Sequence, residues 1–192
     1  MIDITGHDTS PPAPGDLELL QRFVNLHEHD EGGRTVDPSL EMIRTFLVSR
    51  GLLTPRERFS AADRETYLRL RNAIRGLVGA DPEKPIPAAD AEVIDRIGLA
   101  AGLHPHFRAA GSPTLEPRGG GGVAAAFGSM VAIAFVASFD GTFEHLKSCA
   151  DETCRAVFYD KSKNHSGRWC SMSACGNRAK VRAWRERQRV AE

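Results

Sequence analysis

Residues 149–175, CADETCRAVFYDKSKNHSGRWCSMSAC, contain all four cysteines of this 192-residue chain. The cysteines form two pairs with the same spacing, Cys149-x4-Cys154 and Cys170-x4-Cys175, and 15 residues separate the pairs. Each pair can supply two thiolates to one tetrahedral ion, and the interval is long enough for the chain to fold back on itself. The spacing therefore predicts one structural Zn²⁺ per chain with a closed set of four ligands, which leaves no position for catalysis by the metal.

Two other interpretations of the four cysteines fit their spacing less well. An iron–sulfur cluster also needs four thiolates, but ferredoxin motifs have shorter and asymmetric spacings. Buried cysteines without a metal would not require two equally spaced pairs. Disulfide bonds would normally accompany a secretory signal, and the first residues, MIDITGHDTSPPAPGD, lack its apolar run and its basic start. We therefore expect a reducing, cytoplasmic location.

The charge of the chain is divided between two parts. The whole sequence has 25 basic and 25 acidic residues, but residues 145–192 contain 11 Lys and Arg against 5 Asp and Glu. This part, called the cysteine module below, has a net charge of +6, and the preceding part has −6. Such asymmetry is typical of a basic module that binds a polyanion beside a body that does not.

The end of the cysteine module predicts a basic helix. The segment NRAKVRAWRERQR, from Asn177 onward, contains good helix formers, and at about 100° per residue four of its arginines fall within about 60° of one another. These four residues, called the arginine ridge, are Arg178, Arg182, Arg185 and Arg189. Val181 and Trp184 occupy the adjoining face, and we expect Trp184 to pack on the cysteine module.

A basic helix with further donors nearby favours nucleic acid as the partner. Arginine can follow a phosphate backbone and can also contact guanine in the major groove. The candidate contacts come from the loop between the cysteine pairs and from the helix: Lys161, Lys163, Arg168, Arg178, Lys180, Arg182, Arg185 and Arg189. A solvated basic surface without a ligand stays an alternative.

The residues after the last cysteine are predicted to support the metal. Four thiolates with one Zn²⁺ carry a charge of about −2, which nearby donors must offset. Gly176 and Asn177 are suited to a positive φ that turns backbone N–H groups toward sulfur, and Arg178 adds positive charge, as Arg168 does. Gly176, Asn177 and Arg178 are therefore the predicted residues around the metal ligands.

The part before the cysteine module predicts a flexible tail over residues 1–15 and an α-rich domain over residues 16–144. Three amphipathic helices are expected first. One is capped by Asp16, one begins at Asp37-Pro38-Ser39 and ends at Gly51, and one begins at Ser60. The arginines of the third helix are expected on its solvent side: Arg64, Arg69, Arg71 and Arg75.

The rest of this domain predicts a Pro-rich linker over residues 81–87, a helix capped by Asp90, and a small β-hairpin between residues 103 and 116. Residues 123–139 contain no charge, but the segment is shorter than the ~20 residues of a membrane span, and a buried core helix is the better interpretation. The expected fold is thus mainly α with a small β-hairpin, followed by a four-cysteine zinc module that ends in a basic helix.

Across residues 158–180, FYDKSKNHSGRWCSMSACGNRAK, the sequence resembles the bacterial CGNR zinc-finger family. The family pattern is a Cys-x4-Cys pair, an aromatic-x-Asp-x-Ser stretch, Trp-Cys-Ser-Met, and then Cys-Gly-Asn-Arg-x-Lys. The positions that match it here are Cys149 and Cys154; Phe158, Asp160 and Ser162; Trp169, Cys170, Ser171 and Met172; and Cys175, Gly176, Asn177, Arg178 and Lys180. Lys161 and Lys163 stand where Arg is common and Gly167 replaces an Arg, which slightly lowers the positive charge.

The preceding part resembles the mostly helical domain that accompanies this finger, through Phe23-Val24-Asn25, Gly51-Leu52-Leu53 and Leu68-Arg69-Leu70-Arg71. The resemblance implies a stress-induced transcription regulator whose finger binds DNA. The N-terminal domain is expected to sense a small-molecule effector or to form a homodimer.

Other functions remain as hypotheses. The zinc module could instead dock on an acidic protein, including the acidic part of this chain, or bind RNA through Trp169 and Tyr159. The pairs His27 and His29, and His104 and His106, indicate a second metal site only weakly, because no four-ligand set accompanies them. The sequence presents no nucleophile with a base and no Ser/His/Asp set, so we do not expect an enzyme.

Overall fold

The computed structural model describes residues 11–31, 35–79, 86–107, 113–119, 121–151, 153–154 and 156–190. The α-helices in these residues are α1 Leu17–Asn25, α2 Leu40–Ser49, α3 Ala61–Leu77, α4 Ala88–Ala100, α5 Gly122–Phe139 and α6 Asn177–Val190. The strands form antiparallel pairs: β1 Glu28–His29 with β2 Thr35–Val36, β3 His104–His106 with β4 Thr114–Glu116, and β5 Leu146–Ser148 with β6 Val157–Tyr159. The expected fold class, mainly α with a zinc module that ends in a helix, is confirmed.

Helix α1 forms where the sequence predicts it, and its apolar face lies in the main core. Leu20 and Phe23 are fully buried, and the ring centroid of Phe23 lies 4.7 Å from that of Tyr67 in α3. The prediction that Asp16 caps this helix is wrong, because its side chain makes no capping hydrogen bond. The chain is packed before Asp16: Ala13 is buried, and its N–H donates to Oε1 of Gln21 at 2.7 Å. Residues 1–10 of the predicted tail lie outside the described residues.

Helices α2 and α3 begin at the predicted residues because serines cap them. The Ser39 hydroxyl accepts the N–H of Met42, and Ser60 forms a reciprocal capping box with Asp63. One arginine of α3 departs from the prediction. Arg71 is buried rather than solvated, because its Nη2 donates to Oδ1 of Asp37 at 2.5 Å and its guanidinium lies 5.9 Å from the ring centre of Tyr67.

Helix α4 packs against α3 and α5, but its start and its outer face differ from the prediction. It begins after Pro87, so Asp90 lies inside the first turn and the prediction that Asp90 caps the helix is wrong. Ile97 is its one buried residue, and Leu99, expected on its apolar face, is 82% exposed. Of the linker predicted over residues 81–87, residues 81–85 lie outside the described residues.

Helix α5 is the central helix of the core, as the uncharged segment predicts. Gly128 lets it approach the end of α4 closely, since a Cβ at this position would lie 2.3 Å from Cβ of Ala101. By length and composition α5 could span a membrane, with a mean hydropathy of 2.0, but 44% of it is buried inside the fold, as in a core helix. Its last turns emerge from the core and expose Phe135, Val136 and Phe139.

The hairpin predicted near residues 103–116 is confirmed as β3 and β4, with Pro105 opposite Leu115. The residues of its turn, including Gly111, lie outside the described residues. Two further strand pairs, β1 with β2 and β5 with β6, were not predicted, because their strands are only two or three residues long and carry no alternating pattern.

The β5–β6 hairpin ties the cysteine module to α1. The side-chain amide of Asn25 donates to the carbonyl of Val157 at 2.7 Å, and its oxygen accepts the N–H of the same residue at 2.8 Å. Nε2 of Gln21 also donates to the Val157 carbonyl, at 3.4 Å. Val157 and Leu146 are buried in the main core, so the module and the helical part share one hydrophobic core. The predicted boundary between residues 144 and 145 falls in the 3₁₀ turn Thr142–His145 and stays a prediction.

Candidate metal centre and basic helix

The fold brings the four predicted ligands together at one end of the β5–β6 hairpin. Their sulfur atoms all lie within 4.8 Å of one another. The Sγ of Cys170 lies 3.6 Å from that of Cys154 and 3.5 Å from that of Cys175. These distances are too long for disulfide bonds. A tetrahedral ion with sulfur at 2.3 Å requires sulfur atoms roughly 3.8 Å apart, so the four residues fit Zn²⁺.

Two short turns place the two cysteine pairs. Cys149 follows β5, and its N–H donates to the carbonyl of Ala156 at 2.8 Å, which closes the loop that holds Cys154 before β6. Cys175 lies in a π-helical turn, Met172–Gly176, that leads directly into α6. The two turns are joined by the N–H of Ala150, which donates to the carbonyl of Arg168 at 2.8 Å. The first turn therefore supplies two sulfurs to the common centre, and the π-helical turn supplies Cys175, with Cys170 just before it.

The four sulfur atoms lie so close together that they can all be ionised only if a cation is bound between them. The hydrogen bond with Cys154, together with burial, raises the pKa of Cys170 far above its usual value. Burial is also the largest cause that raises the pKa of Cys175, to about 12. Thiolates crowded in this way repel one another, and a bound Zn²⁺ supplies the positive charge that allows all four to ionise.

Arg178 and Asp151 form a charged link beside the sulfurs. Nη2 of Arg178 donates to Sγ of Cys175 at 2.9 Å, and Nε donates to Oδ2 of Asp151 at 3.0 Å. Oδ1 of Asp151 accepts from the hydroxyl and N–H of Thr153 and lies 3.6 Å from Nη2 of Arg182. Hydrogen bonds from Thr153 and Arg178 outweigh burial and hold the pKa of Asp151 at about 2. Arg178 thus lies next to the metal ligands, as predicted, and also joins the first cysteine turn to α6.

The predicted role of Gly176 and Asn177 needs correction. Asn177 has a helical φ of −67°, and Gly176 is not among the residues with positive φ. A Cβ at Gly176 would lie 3.0 Å from Sδ of Met172, so a larger residue would displace this exposed methionine side chain by a few tenths of an ångström. The N–H of Asn177 donates to the carbonyls of Met172 and Ala174, so it stabilises the turn rather than the sulfurs.

Asp160 orders the loop between the two cysteine pairs. Its side chain is buried and accepts from Nζ of Lys147 at 2.7 Å and from the N–H groups of Ser162 and Gly167 at 3.0 and 2.8 Å. Burial alone would raise the pKa of Asp160, but these hydrogen bonds outweigh it and hold the pKa well below its usual range. Gly167 lies against this carboxylate, since a Cβ there would approach its Oδ1 to 2.7 Å.

The basic helix α6 is exposed around its whole circumference. None of the residues described from Lys180 to Arg189 is buried, and the element against which α6 mainly packs is the π-helical turn. The prediction that Trp184 packs on the cysteine module is wrong, because 56% of this residue is exposed. Trp169 packs against the cysteines instead, with the guanidinium of Arg168 5.5 Å from its ring centre.

The residues predicted to contact nucleic acid are all at the surface, but one of these side chains is held by hydrogen bonds to its neighbours. Lys161, Lys163 and Arg168 are exposed on the loop, and Lys180, Arg182, Arg185 and Arg189 are exposed on α6. The Arg178 side chain is 48% exposed and held by Asp151 and Cys175. The arginine ridge therefore has one fixed end, near the cysteines, and one free end.

Sequence reasoning missed three polar residues that organise the module: Asp151, Asp160 and Asn25. Asp160 and Asn25 both occurred in matched motifs, which was the available signal, while nothing marked Asp151. Among the described residues, neither histidine pair considered for a second metal belongs to a group of three or more possible ligands. His27 and His29 have ring centroids 5.0 Å apart, and in the part of the chain that the structure describes the four cysteines are the one group that could hold a metal.

Comparison with known proteins gives two matches that together span most of the chain. A family model described as "CGNR zinc finger" matches residues 145–188. A second one, ABATE, described as "Putative stress-induced transcription regulator", matches residues 17–141, about two thirds of the sequence. No curated protein matches the chain. Together with the sulfur geometry, these matches establish one structural zinc ion held by Cys149, Cys154, Cys170 and Cys175.

Proposed function

The chain belongs to the ABATE family, described as "Putative stress-induced transcription regulator", and carries a CGNR zinc finger; from this premise we propose that it regulates bacterial transcription under stress by binding DNA through α6. In this proposal zinc has a structural role and the protein is not an enzyme. It acts in the cytoplasm, associated with the nucleoid when it is bound to DNA.

The single observation that carries the proposal is the exposed basic helix next to the zinc site. A helix with no buried residues beyond its first turn contributes little to the core, so its sequence is available for binding. Six of its 14 residues are Lys or Arg against one Glu, and a helix of this length is long enough to lie along the major groove. The Arg178–Asp151 link fixes the start of α6 on the zinc site, so the helix is presented in one orientation.

RNA and an acidic protein are the second candidates for the same helix. Exposed Trp184, beside the arginine ridge, could stack on an unpaired base, which favours single-stranded RNA more than duplex DNA. The opposite charges of the two parts of the chain favour docking on an acidic protein surface. Both candidates use the residues proposed for DNA, and competition experiments separate them.

An effector and a homodimer complete the proposal. A cavity of about 130 Å³ lies between α1, α3 and the cysteine module, with Arg22 and Arg71 on one side and Ala156 and Cys154 on the other. Because both parts of the chain line it, a small molecule bound there would contact the joint between them. This supports the cavity as the effector site, with the bound state transmitted to the zinc module.

The experiment that tests the proposal uses the full chain loaded with one equivalent of zinc. Its affinity for a fluorescent random-sequence duplex is measured by anisotropy at about 50 and 200 mM salt, with and without a chelator. We expect chelator-sensitive binding whose affinity falls by at least tenfold at the higher salt. The variant Arg185→Ala should bind more weakly, while the matched control Arg69→Ala, on exposed α3 surface, should not.

Each other outcome points to a different function. Preference for single-stranded RNA over the duplex in competition would replace DNA with RNA. Absence of nucleic-acid binding, with binding of an acidic polypeptide that Arg185→Ala weakens, would support the protein-docking alternative. Equal losses in Arg69→Ala and Arg185→Ala would show that only net charge matters and would refute a role for α6.

A further inference from the structure

The end of α5 carries an apolar surface that the fold leaves uncovered. Phe135 is 51% exposed and Phe139 is 78% exposed, and their ring centroids lie 4.7 Å apart. Leu99, at the end of α4, is 82% exposed. Large apolar side chains are rarely left in water next to one another without a partner.

Between α4 and α5 runs a groove of about 720 Å³ that continues this surface. Its lining is almost wholly apolar, with Ile94, Leu99, Leu103, Val131 and Phe135 among the contributing side chains. Asp95 is the one charged residue among the described residues that line it. The groove is therefore suited to an apolar side chain rather than to a charged or strongly polar ligand.

We propose that this face, formed by Leu99, Phe135, Phe139 and the groove, joins two copies of the chain. Phe139 does not line the groove but follows Phe135 by one helical turn, so a protruding aromatic side chain and an apolar groove lie side by side. A two-fold interface needs one patch that is complementary to itself. Rotation by a two-fold axis places Phe139 of each copy against the groove of the other.

The exposed area of these three side chains is about half of what a stable dimer requires from each partner. With about 200 Å² for a fully exposed aromatic side chain, Leu99, Phe135 and Phe139 together expose roughly 400 Å². A stable interface buries about 800 Å² from each partner, so these three residues supply about half, and the partly buried groove lining supplies more. A patch of this size is comparable to the largest apolar patch of a typical monomer, and such patches often have a function.

Two charged residues of α4 can pair with those of a second copy: Asp95 lines the groove, and Arg96 follows it in the helix outside that lining. Asp95 and Arg96 are adjacent in α4, both are exposed, and neither forms an ion pair with another described residue. In a two-fold arrangement, Asp95 of one copy can face Arg96 of the other on both sides of the axis. An acidic or basic partner protein would leave one of these charges opposed by a like charge.

The inference rests on the homodimer in the proposed function and is independent of DNA binding. The test measures the mass of the zinc-loaded full chain by sedimentation between about 1 and 100 µM. Wild-type protein should form a species of twice the 20.9 kDa chain mass. Phe139→Asp should raise the dissociation constant at least about 30-fold, because buried aromatic residues at the centre of interfaces commonly have this effect.

Trp184→Asp is the matched control, since it replaces another exposed aromatic residue, on α6, and should leave the mass unchanged. Circular dichroism and zinc content should be the same for all three proteins. A wild-type chain that stays at 20.9 kDa at 100 µM, or a Phe139→Asp variant that dimerises as tightly as wild type, overturns the inference. A monomer that binds lipid vesicles through Phe139 would assign the face to a membrane and overturn it as well. Loss of DNA binding with an intact dimer would refute the proposed function alone.

Discussion

Arg178 connects Asp151 to the sulfur of Cys175, with one guanidinium nitrogen 3.0 Å from the carboxylate and another 2.9 Å from Sγ. The two charged residues are 27 positions apart in the sequence, one in the first cysteine turn and one in the first turn of α6. The ion pair therefore does two things at once. It places positive charge beside the thiolates, and it sets the direction in which α6 leaves the zinc site.

Replacement of Asp151 by Asn should loosen α6 while leaving zinc in place. The amide still fills the space, but it cannot neutralise Arg178 and Arg182, so we expect a loss of about 1–2 kcal/mol in the free energy of unfolding. Chemical denaturation and hydrogen exchange of the α6 amides measure the two effects. Glu186→Gln, which removes an exposed acid from α6, is the control. Unchanged exchange in α6 would contradict the positioning role of Asp151.

Replacement of Asn25 by Ala should weaken the joint between α1 and the cysteine module. The variant leaves the N–H of buried Val157 without its side-chain partner and leaves its carbonyl with only the longer hydrogen bond from Gln21, a loss of about 1–3 kcal/mol. We expect faster hydrogen exchange in β6 and earlier proteolysis between the two parts. Asn164→Ala, at an exposed loop position, should change neither. If β6 exchanges at the wild-type rate in both variants, the joint does not depend on Asn25.

Two glycine-to-alanine substitutions should have opposite effects. Gly128→Ala inserts a methyl group against Ala101, 2.3 Å away, and must push α5 from the end of α4, with a loss of about 1–3 kcal/mol. Gly76→Ala, at an exposed position of α3, meets only the end of the Asp90 side chain, which can move, and gains up to about 1 kcal/mol of helix propensity. The unfolding temperatures of both variants measure these effects. Equal shifts of the unfolding temperature would refute the close approach at Gly128.

Removal of the Asp160 charge should produce a stability loss that does not depend on pH near neutrality. The folded-state pKa of Asp160 is lowered, so its contribution is complete above the unfolded value of about 3.9 and is lost only as pH falls toward the folded value. The difference in unfolding free energy between wild type and Asp160→Asn should therefore be constant from about pH 6 to 8. If this difference in unfolding free energy shrinks toward pH 6, then a group other than Asp160 causes the stability loss.

The sequence was sufficient where a local rule decides the structure. Ser39 and Ser60 marked the starts of α2 and α3 because capping depends on a few adjacent residues, and the cysteine spacing defined the metal site because geometry restricts it. It was insufficient where distant parts of the chain meet. Arg71 is buried only because Asp37 lies opposite it, and no periodicity within α3 reports that contact. Trp184 has the character of a core residue, but it is exposed, because none of the described elements covers its side chain.

The two ends of the arginine ridge should respond differently to substitution if α6 binds a phosphate backbone. Each phosphate contact contributes about 0.9 to the slope of log affinity against log salt concentration, so Arg185→Ala should lower that slope by about one while leaving the stability unchanged. Arg178 is held by Asp151 and Cys175, and Arg178→Ala should mainly lower the free energy of unfolding and weaken zinc retention. Anisotropy titrations at several salt concentrations, with denaturation curves of the same samples, measure both quantities. Equal changes in slope with unaltered stability in both variants would show that Arg178 binds the phosphate directly, and that the orientation of α6 does not depend on its link to Asp151.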